Sequence, residues 1–217
     1  MYTIFMTIAV PKRSPLALGV LVLLYEKPMH VYRMQQVIKR RGEDEVVNVS
    51  QPNSLYQTIA RLERAGLLVA GSVDRESKRP ERTVYKLTEA GKAAMVDWTR
   101  ELLSTRSREY PEFPAAISVL AVLTPKDALK QLERRIGALE TELARLDARL
   151  TAAHFLPRLF QLEIEYLDAQ TGAELRWVQA IADDLRSGEL RWNKAWVRKA
   201  VKELAQQHCD ESTGVSA

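Results

Sequence analysis

Asn53, Ser54, Gln57, Arg61 and Arg64 lie within one short segment, and their side chains are of the kinds that read base pairs. Asn and Gln can form paired hydrogen bonds with the edge of adenine, and Arg with guanine. Ala60, among them, is small enough to meet a thymine methyl, while Tyr56 offers a ring and a hydroxyl to either a phosphate or a base. Further along, Asp74 to Arg82 reads DRESKRPER, which places Arg75, Lys78, Arg79 and Arg82 in nine residues. Such a loop gains from phosphate charge and from the negative potential of a minor groove, although Asp74, Glu76 and Glu81 offset part of it. Either pattern alone also describes ordinary solvated surface. It is their succession that favours nucleic acid.

These residues need elements that aim them. Leu55, Ile59 and Leu62 recur at helical spacing, so a helix over 52–65 should turn them inward. At 100° per residue, Asn53, Gln57, Ala60 and Arg64 then face the other way, with Ser54, Tyr56 and Arg61 on the flanks. Recognition helices read bases mainly with their N-terminal half, which makes Ser54, Gln57 and Arg61 the leading base-edge candidates. Gly66 should stop this helix. Leu67–Val73 and Thr83–Leu87 read as an antiparallel hairpin, and Thr88 caps a further helix reaching about Ser107. Upstream, Pro15 opens a largely buried helix through Leu16, Leu18, Val20, Leu21, Leu23 and Leu24, which Pro28 ends. A second helix from His30 to Arg41 turns Val31, Met34, Val37 and Ile38 inward, and Gly42 closes it. Residues 43–50 form a polar connection with a short extended piece at 46–49. The expected architecture is mainly α: an N-terminal winged helix-turn-helix with a two-stranded β wing over 14–108, after a loose arm, 1–13, in which Met6 is an alternative start.

Tyr110 to Pro114 reads as the boundary to a second, helical domain over 115–208. There Leu129, Leu132, Ile136, Leu139, Leu143, Leu146 and Leu150 alternate in steps of three and four, a heptad seam. The seam suits a coiled-coil dimerisation domain, either between two chains or as a four-helix arrangement with a helix running from Pro157 towards Leu185. An intrachain hairpin is the alternative. Ser187-Gly188 breaks the chain, a short basic helix with Trp192 and Trp196 follows over 191–207, and 209–217 is expected to be a flexible end.

Composition limits the classes open to the chain. With 217 residues, 46% hydrophobic and 28% charged, it has the balance of a folded globular protein. The longest apolar run, Leu16–Leu24, is too short to span a bilayer. The lone Cys209 and the absence of a recognisable leader fit a cytoplasmic setting. Residues 1–92 carry 15 Lys/Arg against 9 Asp/Glu, so the basic excess falls in the half with the candidate reader. No phosphate-loop, zinc-protease or nucleophile-elbow motif occurs, and His30, His154 and His208 are far apart. An enzyme is not expected, nor is a cofactor or a metal.

Three stretches together resemble the PadR family of bacterial transcriptional regulators. They are Leu16–Leu24 followed by Pro28-Met29-His30-Val31-Tyr32, then Ser54-Leu55-Tyr56 with Arg61 to Leu67, and Tyr85 to Gly91. The resemblance implies a homodimer on a near-palindromic double-stranded DNA operator. It implies DNA contact by Ser54 and Tyr56, by Tyr32 on the second helix and by the wing. It also implies a small aromatic effector beside a tryptophan on the fourth helix, where Trp98 stands. The chain departs from the family pattern at Val31, usually Gly, at Asn53, usually Gly or Ser, and at Gln57, usually Pro. Gln57 thereby adds a candidate base contact, and Val31 bears on how closely the second helix can approach DNA. A repressor is the leading expectation. An activator of the same fold, or a winged-helix module that binds protein, is the alternative.

Overall fold

The computed structural model describes residues 13–42, 52–74, 82–106 and 110–213, with the backbone alone for Pro52, 72–74, Arg82, 204–205 and 207–213. The chain divides into two compact units, Met1–Glu109 and Tyr110–Ala217.

In the first unit, Ser14 caps helix α1 (Pro15–Glu26), its Oγ accepting from the Ala17 amide at 3.1 Å. Buried Ala17, Val20, Leu21, Leu23 and Leu24 share one broad face. Strand β1 (Met29–His30) leads into α2 (Val31–Arg41), followed by α3 (Pro52–Arg64), β2 (Leu68–Asp74), β3 (Arg82–Leu87) and α4 (Glu89–Ser104). The sheet has three strands rather than the two expected, in the antiparallel order β1-β3-β2. Pro28 disfavours helical geometry in the residue before it, and Met29 and His30 then pair with Tyr85 and Val84. A two-residue strand leaves no periodicity in sequence; its partner lies more than fifty residues away. Leu21, Leu23, Met34, Ile38, Ile59, Leu62 and Leu68 are fully buried and form the centre of the core.

The junction between α3 and α4 holds the unit together. Gly66, at φ 70°, ends α3 with two reverse bonds, Gly66 N–H to Glu63 O (2.8 Å) and Leu67 N–H to Leu62 O (3.0 Å). That pairing satisfies the last carbonyls of a helix and needs a left-handed residue. Thr88 then acts twice: its Oγ1 donates to Gly66 O at 2.7 Å and accepts from the Gly91 amide at 3.0 Å, capping α4.

In the second unit, α5 (Glu112–Ser118) forms where the sequence suggested only a break, because Pro114 falls in the first turn, where no amide is needed. A 3-10 turn (Leu120–Val122) leads to α6 (Pro125–Ala152), capped by Thr124. A second such turn (Arg158–Phe160) precedes α7 (Leu162–Ser187), which ends at Gly188, and α8 (Lys194–Thr213) follows. Helix α8 continues past Cys209, where a flexible end was expected. Helices α6 and α7 pack antiparallel, tied by Arg135–Glu174 and by Arg186–Glu133 at 2.9 Å. Much of the heptad seam is covered here by the same chain. Leu129, Leu132, Ile136 and Leu139 cluster with Val178, Ile181 and Leu185, and Leu146 is fully buried. The sequence pattern identified an apolar stripe but could not say which helix would cover it.

Candidate nucleic-acid interface

Burial of Leu55, Ile59 and Leu62 fixes the rotation of α3. Asn53, Tyr56, Gln57, Ala60 and Arg64 are consequently exposed. Neither Asn53 nor Gln57 forms a side-chain hydrogen bond to any described residue, so their donors and acceptors stay available. Arg64 is held loosely by its own helix, its Nε donating to Ala60 O at 3.2 Å. Ser54 is half-buried on the flank.

Arg61 departs from its expected place. It is half-buried, and its Nη2 donates to Ser14 Oγ at 3.3 Å, so the guanidinium points towards the cap of α1 rather than outwards. Thr58, on the same flank, is buried. The helical wheel placed Arg61 correctly at an edge of α3; only the packing of α1 decides that this edge faces protein. On the other flank, Tyr56 and Glu63 neighbour Tyr85 of β3. Burial foremost, then the Glu63 carboxylate and Tyr56, raise the Tyr85 hydroxyl above its ordinary pKa.

Helix α2 adds a second cationic surface. Its first turn is capped by His30, whose Nδ1 accepts from the Arg33 amide at 3.1 Å, and Tyr32, exposed, stacks beside the His30 ring. Val31 is buried, so the side chain that distinguishes it from glycine lies in the core, away from the outer face. Arg33, Gln36, Lys39 and Arg40 line an open depression of about 370 Å³ on the exposed side of α2. The sequence reading did not single these residues out, although the run Lys39-Arg40-Arg41 was visible. Arg41 is committed elsewhere, paired in two bonds with Glu26 at 2.6 and 2.7 Å.

The stem of the wing is in place. Leu68 pairs with Leu87 and Asp74 with Arg82, with a bulge between Ala70 and Val73 that adds twist to the hairpin. Arg75, Lys78 and Arg79 lie outside the described residues, as does the side chain of Arg82. Trp98 is only 6% exposed and belongs to the core cluster with Leu21, Leu24 and Leu67, so most of its side chain is engaged in core packing. Among the described residues no group of metal-ligating side chains occurs, and no helix is long and apolar enough to cross a membrane.

Residues 20–97 match the family model described as Transcriptional regulator PadR-like family. Bacillus subtilis PadR in complex with operator DNA superposes with a TM-score of 0.65 at 16% identity, over 78% of this chain and 98% of that one. The Vibrio cholerae virulence activator AphA gives 0.60 at 16% identity, over 79% and 98%. Bacillus subtilis PadR in complex with p-coumaric acid gives 0.61 at 15% identity, over 80% and 99%. A search among curated proteins finds no match.

Proposed function

We propose that this chain, which carries the PadR-like transcriptional-regulator fold with residues 20–97 matching the family model, works as a homodimeric regulator that represses by occupying an inverted-repeat operator. The observation that carries the reading is the outer face of α3. Asn53, Gln57, Ala60 and Arg64 share that exposed face, and the Asn53 and Gln57 amides are engaged by no described residue. In this reading α3 enters the major groove, where Gln57 and Asn53 recognise adenine and Arg64 recognises guanine. Ser54, Tyr56 and Tyr32 meet the adjoining backbone, and Arg61 sets the seat of α3 against α1. Arg75, Lys78, Arg79 and Arg82 follow the phosphates into the minor groove. The first helix of a helix-turn-helix crosses the backbone, which gives Arg33, Lys39 and Arg40 phosphates to neutralise.

A structural neighbour with operator DNA bound supports the DNA partner, and one with p-coumaric acid bound supports a small aromatic effector. Trp98, packed in the core, does not itself offer an effector surface. Activation is the second reading, favoured by the likeness to AphA, a virulence activator. The test is selection of genomic fragments by the purified protein at two salt concentrations. Enrichment of an inverted repeat that weakens with salt is expected; salt-sensitive binding without sequence preference would overturn operator reading, and no binding at low salt would overturn DNA binding altogether.

A further inference from the structure

The second unit is acidic except in one place. Residues 191–202 carry five Lys/Arg and no Asp/Glu, whereas the rest of 110–217 carries nine Lys/Arg against sixteen Asp/Glu. Most of that cationic stretch is the first half of α8. At 100° per residue Lys194, Arg198 and Lys202 fall on one side with Lys199 at its edge, while Trp196, Val197, Ala200 and Val201 turn the other way. All four cations are exposed. Elsewhere in the unit several arginines are committed to carboxylates: Arg135 to Glu174, Arg149 to Glu163, Arg158 to Glu165 and Arg186 to Glu133. On α8 only Lys199 has such a partner, Glu203 at 3.7 Å; Lys194, Arg198 and Lys202 form no ion pair with any described residue.

The order of charge along α8 also runs against the helix dipole. A helix is positive at its N-terminal end, which favours acidic side chains there and basic ones at the far end. In α8 the first turn holds no acidic residue, Lys194 is its first residue, and Asp210 and Glu211 come near its end. The start of the helix is otherwise well formed, since Asn193 Oδ1 accepts the Trp196 amide at 2.9 Å. Local preference is therefore opposed at charged positions alone, as happens where function overrides stability. The dipole and the cations add to one positive potential, which suits a polyanion. Lys194, Arg198 and Lys202 follow one another at about 6 Å along the axis, and duplex DNA presents one negative charge per about 1.7 Å of its own. A lipid surface fits less well. Val197 and Ala200 are half-buried within the protein, which leaves Trp196 and Val201 as a small apolar face for entering a bilayer.

We infer that the cationic face of α8 is a second DNA surface, one that holds the phosphate backbone without reading sequence. The inference rests on the DNA reading above. Its test is binding of the full-length protein, over a range of salt, to the repeat enriched from the genome and to an unrelated duplex of equal length. The wild-type chain is compared with one carrying Lys194→Gln, Arg198→Gln, Lys199→Gln and Lys202→Gln together, changes at exposed positions that keep helix propensity. Helix content and subunit mass are measured on both proteins. On each duplex the variant should bind at least about tenfold more weakly at low salt, with a salt slope smaller by about 3, as loss of three or four phosphate contacts gives. The ratio between the two affinities should stay as in wild type. An unchanged slope overturns the second surface and leaves reading by α3 standing; capture of anionic phospholipid vesicles by the wild type alone would then give the face to lipid. A changed ratio overturns it too, because α8 would then be reading sequence. So does a variant of lower subunit mass, which would give the face to contact between copies. A wild-type chain that binds neither duplex overturns both the inference and the reading beneath it.

Discussion

Replacing Gly91 with alanine tests the junction that holds the end of α3. A Cβ at this position would lie 2.0 Å from Leu67 O and 2.6 Å from Leu87 Cδ1, well inside the 3.0 Å below which such contacts essentially do not occur. The first obstacle is backbone, so a rotamer change cannot relieve it. Leu67 O also accepts the Thr88 amide at 3.2 Å, and the displacement strains that bond as well. Overpacking costs about 1–3 kcal/mol and a weakened hydrogen bond about 1 kcal/mol. Alanine recovers about 0.5–1 kcal/mol through its better helix propensity. The net is a loss of about 2–3 kcal/mol, which for a domain of this size lowers the melting midpoint by about 10–20 °C. Gly137→Ala is the control. Its Cβ would meet nothing within 4 Å, so the same substitution on α6 should stabilise by about 0.5–1 kcal/mol. Thermal unfolding followed by near-ultraviolet circular dichroism reads both. A Gly91→Ala protein melting with wild type would refute the close approach of α4 to the end of α3.

Further outcomes follow from the same geometry. Gln57→Ala should reduce discrimination at one operator position by about 1–3 kcal/mol; equal weakening on all sequences, measured by competition binding, would remove it from base reading. Arg61→Ala should instead weaken binding without altering base preference, and selective loss at one base pair would return it to the groove. Arg79→Ala should weaken binding on every sequence and flatten its dependence on salt; an unchanged slope would place the wing in solvent. The Arg41 guanidinium, through its hydrogen bonds, holds the Glu26 carboxyl below its ordinary pKa of 4.5. The pair therefore stabilises the fold at pH above that value and loses its contribution as the pH falls through the lowered one. At this exposure the effect is below about 1 kcal/mol, and an Arg41→Gln protein should show a correspondingly shallower acid limb in its pH–stability curve.

The local punctuation of the fold was legible in the sequence, because the groups that enforce it are adjacent in the chain. Gly66 ends α3 and Thr88 caps α4 by bonds within a few residues, and Gly188 ends α7 in the left-handed conformation that favours glycine. The exposed face of α3 was legible for the same reason, since three buried positions fix a helix's rotation. What required the structure is non-local. The edge strand at Met29–His30 exists because Val84 and Tyr85 are there to pair with it. Arg61 is turned inward by the cap of a helix nearly fifty residues upstream. Trp98 is placed in the core by α1 and by the α3–β2 junction, and a lone tryptophan carries no periodicity that would say so.

The heptad seam carries the larger consequence. Seven apolar positions in register would normally suggest that α6 itself pairs with a partner chain, yet α7 occupies much of that stripe and ion pairs from Arg135, Arg149 and Arg186 hold it there. Leu132 and Leu146 are buried outright, while Leu129, Ile136, Leu139, Leu143 and Leu150 stay half-buried, so the stripe is covered in part by its own chain. Outside the stripe, exposed apolar residues of the second unit are spread over Tyr110, Val119, Val122, the Phe155–Phe160 turn, Trp177 and Trp196. A charged substitution at Leu132 or Leu146 should accordingly unfold the second unit, read as lost helix content, while the same change at exposed Trp196 or Phe160 should leave the hairpin folded.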